Sequence, residues 1–302
     1  MGRTWCVLGV PSSAGAHTPG LEKGPAALRE AGLIDLLRRA GCDVRDAGDV
    51  EGFRWQPDPG RPHAQNAPVV ARVASDVAAA VSEITTQSRT PLVVGGDCTA
   101  TVGVVAGSAR AGMLPGLLYV DGGPDLYTPE TRAVGNLDAM GLAHMLALPG
   151  SVPELSTIGP AVPLLRPEQV VTYGDALSDD DHERRLLADL HIARIPAVDV
   201  HGNTRGSADR ARARIEAVAP AFVLHVDVDV LAFIDAPLAD VPDSGGEPIG
   251  LTLDELVTSL ATFVASPRLG ALVLTEVNPD HVPDAAALRS FVERLTATLA
   301  PS

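Results

Sequence analysis

Short apolar runs ending on glycine or aspartate recur along this chain, most of them followed by a segment whose apolar residues fall at helical spacing. Leu92-Val93-Val94-Gly95-Gly96 leads into Asp97, Leu117-Leu118-Tyr119-Val120 into Asp121, and Phe222-Val223-Leu224-His225-Val226 into Asp227. Runs this short and this uniformly apolar fit strands of a parallel sheet buried by helices on both faces. Further strands are read at residues 4–10, 170–173, 195–198 and 271–275. Helices are read at 25–40, 69–88, 100–111, 137–148, 182–190, 207–218, 253–265 and 285–299. Such alternation predicts a three-layer α/β/α fold around a mainly parallel sheet of about eight strands. No linker or internal repeat interrupts it, so residues 1–302 are expected to form a single domain. The proline-rich segments 51–68 and 232–250 read as surface loops, the first a candidate rim for an active site.

Ligands of open α/β sheets bind outside the carboxyl ends of the strands. Asp121, Asp125, Asp227 and Asp229 would therefore converge in one crevice, where their repulsion calls for a cation or for protons. The turn Gly122-Gly123-Pro124 is tight enough to fold Asp125 back toward Asp121. Alternate residues of a strand share a face, so His225, Asp227 and Asp229 would point the same way if the extended backbone persists. Four carboxylates suit a hard divalent ion such as manganese or magnesium, and a Cys98 thiolate would shift the preference toward zinc. Local structure offers competing readings. Asp97 suits a cap, Cys98 a small buried thiol, and His144 a packed helix residue, while the polar cluster from Asp175 to Glu183 suits helix capping as well as it suits a grip on an amino-acid head group.

Composition narrows the function classes. A formal net charge of −15 argues against nucleic acid and anionic membranes as partners. The apolar 46% with only 3% aromatics points to an aliphatic core. Three widely spaced cysteines, Cys6, Cys42 and Cys98, give no disulfide framework. No apolar stretch approaches the roughly 20 residues needed to span a bilayer, and no secretory h-region is read near residue 1. The expectation is a soluble, cytoplasmic protein.

In order along nearly the whole chain, the motifs resemble the ureohydrolase family: arginase, agmatinase, guanidinobutyrase and relatives, which hydrolyse guanidine groups at a binuclear manganese centre. Gly9-Val10-Pro11 and Gly24-Pro25-Ala26-Ala27-Leu28-Arg29 are similar to its opening. Gly95-Gly96-Asp97-Cys98 stands where the family has Gly-Gly-Asp-His, and Asp121-Gly122-Gly123-Pro124-Asp125 where it has Asp-Ala-His-x-Asp. His225-Val226-Asp227-Val228-Asp229 matches Ser-x-Asp-x-Asp, and Glu276-Val277-Asn278-Pro279 matches Glu-x-Asn-Pro.

The departures fall on the ligands. Cys98 and Gly123 occupy both histidine positions, and Asp138, within Gly135-Asn136-Leu137-Asp138, occupies that of the proton-shuttling histidine. A cysteine at the first position resembles a branch that includes hydroxyarginine-hydrolysing relatives. By resemblance, one metal would keep Cys98, Asp121, Asp125 and Asp227, and the other only Asp121, Asp227 and Asp229. One manganese ion is thus expected more readily than two, with zinc or an empty site as alternatives. His225 or His144 would restore a nitrogen donor by swinging in, and Gly123 is a candidate for a positive φ that a histidine would resist.

The resemblance also implies roles. Glu276 would hold the guanidinium, Asp125 would orient the attacking water, Asp138 would assist the departing amine, and Asn136 would contact the substrate. The expected function is hydrolysis of a guanidine or amidine C–N bond in a small cationic metabolite. The alternative is a repurposed or catalytically silent protein of the same fold that binds a small molecule or does different chemistry. Assembly as a homo-oligomer, a trimer or hexamer, is implied by the family alone.

Overall fold

Eight parallel strands form one sheet in the computed structural model, which describes residues 3–239 and 249–301. They are β1 (Thr4–Val10), β2 (Asp43–Asp49), β3 (Thr90–Gly95), β4 (Pro115–Val120), β5 (Val170–Tyr173), β6 (Ala193–Ile195), β7 (Ala221–Asp227) and β8 (Leu269–Thr275). Their order across the sheet is β2-β1-β3-β8-β7-β4-β5-β6. β3, β8, β7 and β4, whose carboxyl ends carry Cys98, Glu276, Asp227 and Asp121, are therefore consecutive at the centre of the sheet. Strands stand about 4.8 Å apart, so side chains from four successive strand ends meet within one small volume.

Alternation along the strands produces the three layers. Trp5, Val7, Leu92, Val94, Leu118 and Val120 enter one apolar cluster, whereas Cys6, Leu8, Val10, Val93, Leu117 and Tyr119 enter the other. The first cluster is closed by helices at Leu33–Arg39, Thr204–Val218, Leu253–Val264 and Ala285–Leu299, the second by Ala67–Thr86 and Ala100–Arg110. Those last two helices approach closely. A Cβ at Gly103 would lie 2.5 Å from the Ala74 carbonyl, and one at Gly107 2.5 Å from that of Ala78.

Four details depart from the sequence expectation. β2, an edge strand with Asp43, Arg45, Asp46 and Asp49 mostly facing water, has none of the apolar signal that marks the others. The helix expected at 25–40 is two, Gly24–Glu30 and Leu33–Arg39, broken at Gly32, whose φ is 100°. The strand expected at 195–198 ends at Ile195, and Ala197–Gly202 is helical. In place of one helix at 137–148 there is a 3-10 turn, Asp138–Met140, and a short helix, Gly141–Met145. Of the loop read at 232–250, residues 240–248 lie outside the described residues.

Candidate active site

A cavity of about 190 Å³ opens at the carboxyl ends of the central strands, lined by Cys98, Asp125, Arg132, Asn136, Asp138, Asp227, Asp229 and Glu276 together with His17 and Ala139. Asp121 lies buried beneath it. Of the candidate site residues, Cys98, Asp125, Asn136, Asp138, Asp227, Asp229 and Glu276 thus share one cavity wall. The proline-rich segment 51–68 contributes no lining residue. It braces the wall instead: Gln65 Nε2 donates to the Val134 carbonyl at 2.9 Å, and Asn66 Nδ2 to that of Ala14 at 3.3 Å.

Local backbone sets each carboxylate. β7 ends at Asp227, and a 3-10 turn, Val228–Val230, carries Asp229 sideways rather than along the strand face. The Asp229 amide donates to Asp227 Oδ1 at 2.6 Å, and Asp229 Oδ1 accepts from the Gly122 amide at 3.0 Å. That second bond ties the ends of β7 and β4 together. Asp121 Oδ1 accepts from the Gly123 amide at 2.7 Å. Asp125 and Glu276 both occupy left-handed backbone, with φ of 53° and 65°. Such strain costs on the order of 1–3 kcal/mol per residue and concentrates at functional sites. Asp125 accepts a short hydrogen bond from the Tyr119 hydroxyl, and Glu276 Oε1 accepts from the Cys98 amide at 3.1 Å. Asp138 accepts from the Ala139 amide at 2.7 Å and from Asn136 Nδ2, and Asn136 Oδ1 in turn accepts from Arg132 Nε at 2.7 Å.

Burial is the leading cause that raises the proton affinity of this cluster. It pushes Asp121, Asp125, Asp227 and Glu276 well above the usual carboxylate range, with Asp229 the foremost charged neighbour of Asp121 and Asp227, and Asp227 that of Glu276. Asp138 is pushed up to about 7 by burial and then by Asp97. Two unit charges 4 Å apart repel by about 4 kcal/mol at an effective dielectric of 20, so the cage holds its charges together only with protons or a cation.

The donor set fits a cation. Cys98 Sγ, a carboxylate oxygen each from Asp121 and Asp227, and a ring nitrogen of His225 all lie within 4.8 Å of one another, and all four residues are buried. Cys98 Sγ donates to Asp227 Oδ2 at 2.8 Å, so the thiol and carboxylate already face each other. Gly123 offers no donor. Its φ is not positive, and an added Cβ would meet only Glu183 Oε2, at 3.6 Å, so the expected backbone obstacle to a side chain there is absent.

Several competing readings also resolve. Asp97 turns away from the cavity and caps its own loop, accepting from the Gly15 amide at 3.0 Å and the Thr99 amide at 3.1 Å. His144 is packed in the core with Nδ1 against the Met140 carbonyl. In the polar cluster, Asp175 is paired with Arg194 at 2.9 Å, and Asp181 caps the helix His182–Asp189. Glu183 accepts from the Leu126 amide at 2.7 Å and braces the Asp125 loop from behind. None of these three lines the cavity. Conversely, Tyr119 and Arg132 hold site residues in place, and nothing in their sequence setting marks them. His225 was visible through its place two residues before Asp227.

The family model described as the Arginase family matches residues 3–300. The arginase of Bacillus caldovelox is 31% identical over 277 residues, covering 90% of each chain. Arginase-1 of Homo sapiens is 30% identical over 281 residues, covering 92% of this chain and 85% of that one. The solved structure of the Bacillus caldovelox arginase matches with a TM-score of 0.87 at 26% identity, covering 99% of both chains.

Proposed function

The chain belongs to the arginase family, and on that premise we propose that it hydrolyses the C–N bond of a guanidine or amidine group in a small cationic metabolite. The observation that carries this reading is the shared cavity of Glu276, Asp125 and Asp138 above the buried donors Cys98, Asp121 and Asp227. A guanidinium entering it meets Glu276, whose carboxylate takes up charge-assisted hydrogen bonds from the cation. Asp125, fixed by the Tyr119 hydroxyl, orients the attacking water. Asp138, kept partly protonated near neutral pH, hands a proton to the departing amine. Asn136 holds Asp138 and presents its amide to the substrate.

Cys98, Asp121, Asp125, Asp227 and Asp229 are the family-pattern positions that would hold a divalent ion, manganese or zinc, one ion rather than two. Such an ion supplies a nucleophile at neutral pH, because coordination lowers the pKa of water to about 7. One domain, assembly as a trimer or hexamer and a cytoplasmic setting belong to the same proposal. Among the described residues no helix is long and apolar enough to cross a membrane.

Gly123, which supplies no ligand, favours a second reading in which the fold binds a cationic metabolite without hydrolysing it. Metal-loaded protein assayed for urea or ammonia release across a panel of guanidino and amidino compounds separates the two. Hydrolysis is expected, with kcat/KM lowered at least ~100-fold in Glu276→Gln, the scale of losing a group that stabilises developing charge. Binding without turnover on every compound would leave only the second reading.

A further inference from the structure

Neither position where the family carries a metal-binding imidazole has one here, yet an imidazole stands inside the carboxylate cage. It comes from β7, which lies between the strands leading to Cys98 and Gly123, where the family pattern has serine. We propose that His225 is the nitrogen ligand of this chain's metal centre, completing with Cys98, Asp121 and Asp227 a four-donor site that takes zinc in preference to manganese. The proposal rests on the hydrolase reading for where the ion sits, and on this chain's own donors for what holds it.

Geometry is the first ground. His225 Nε2 lies 3.2 Å from Asp121 Oδ2 and 3.8 Å from Cys98 Sγ. Zinc bonds of about 2.0 Å to nitrogen and oxygen and 2.3 Å to sulfur give tetrahedral edges of roughly 3.3 Å and 3.5 Å. Both of these edges from His225 therefore stand near ligand spacing, and all four donors lie within 4.8 Å of one another. The Cys98–Asp227 edge, at 2.8 Å, is drawn in by its S–H···O hydrogen bond, and it opens when the thiol proton leaves.

Orientation is the second. The ring is fixed by parallel stacking on Tyr119, with centroids 4.0 Å apart and planes 12° from parallel, and Thr101 Oγ1 lies 2.7 Å from Nδ1. The Thr101 hydroxyl serves either tautomer. It accepts from Nδ1–H when Nε2 gives its lone pair to an ion, and donates to Nδ1 when Nε2–H instead donates to Asp121. A partner of this kind on the far nitrogen is the arrangement that aims metal-bound imidazoles. Thr275 Oγ1, 3.2 Å from Cys98 Sγ, is placed to do the same for the thiolate.

Donor chemistry is the third. Thiolate and imidazole select zinc-like ions, whereas manganese favours carboxylate and water. The neutral ring also adds a ligand without adding to the negative charge of the cage.

Protein stripped with a chelator is dialysed against equal manganese and zinc, and its zinc is read by X-ray absorption. A single zinc ion per chain with little manganese is expected, its shell holding one sulfur at about 2.3 Å and one imidazole nitrogen at about 2.0 Å. His225→Ser should remove the imidazole signature, keep the sulfur, and weaken zinc binding by at least ~10–100-fold. Cys98→Ser should do the converse. An oxygen-only shell in the wild-type protein, an imidazole signature that survives His225→Ser, or equal retention of manganese would overturn the assignment, and the wild-type spectrum decides even if a variant fails to fold. Urea and ammonia release is followed in parallel. A sulfur–imidazole shell without turnover upholds the ligand set and removes the hydrolase reading, while turnover on an oxygen-only shell does the reverse.

Discussion

Asp138 shows how one residue's chemistry follows from its surroundings. Its carboxyl is half-buried in the cavity wall, and burial with the nearby Asp97 charge raises its pKa to about 7, so at neutral pH it is part acid and part base. In the proposed role it gives its proton to the leaving amine, so the protonated form is the active one and turnover should fall as pH rises through about 7. Asp138→Asn should be slow at every pH and should lose that alkaline limb in a kcat/KM profile. A limb unchanged in the variant would assign the titration to another group. Much of this chemistry was legible in the chain, because aspartates after apolar runs mark strand ends and strand ends mark sites. What was not legible is how the residues are held. Tyr119 looks like one more apolar strand residue, and only the fold turns its hydroxyl onto Asp125 and its ring onto His225.

At the level of elements, the site exists because β3, β8, β7 and β4 lie side by side although β8 follows the others in the chain. Sequence periodicity found the apolar strands, since a strand buried on both faces is apolar throughout. It could not find β2, whose polar edge residues carry no such signal, nor the break at Gly32, where apolar spacing runs on across a kink. It also gave no warning of how closely two helices would pack. Gly103 and Gly107 bring the helix Ala100–Arg110 against the backbone of Ala67–Thr86. That helix follows the Asp97–Cys98 loop directly, so its seat fixes one corner of the site. Gly107→Leu should force the pair apart and cost about 1–3 kcal/mol or more by overpacking, read as a lower denaturant midpoint. An unchanged midpoint would mean the helices separate freely.

Across the whole molecule, the buried carboxylates make stability depend on pH and on cations. Asp138 and Glu183, raised by burial to about 7 and about 8, are joined by the four site carboxylates that lie well above their ordinary range. A folded protein that holds protons its unfolded chain has released is most stable at low pH and loses that stability as pH rises through the folded pKa values. His225 and His144, lowered by burial to about 3 and about 4, act oppositely but only below about 6.5, where the unfolded chain takes up protons. Between pH 6.5 and 8, metal-free protein should therefore lose thermal stability as pH rises, and a bound divalent ion should remove or reverse the slope. Rising stability of the metal-free protein across that window would show that the cluster is ionised without help.

The most direct test of a metal-dependent amidinohydrolase in this cavity is an anomalous difference map from crystals grown with zinc and soaked with a guanidino compound. One peak should appear among Cys98, Asp121, Asp227 and His225, with the guanidinium against Glu276. A map with no peak there, or with the guanidinium bound away from Glu276, would contradict it.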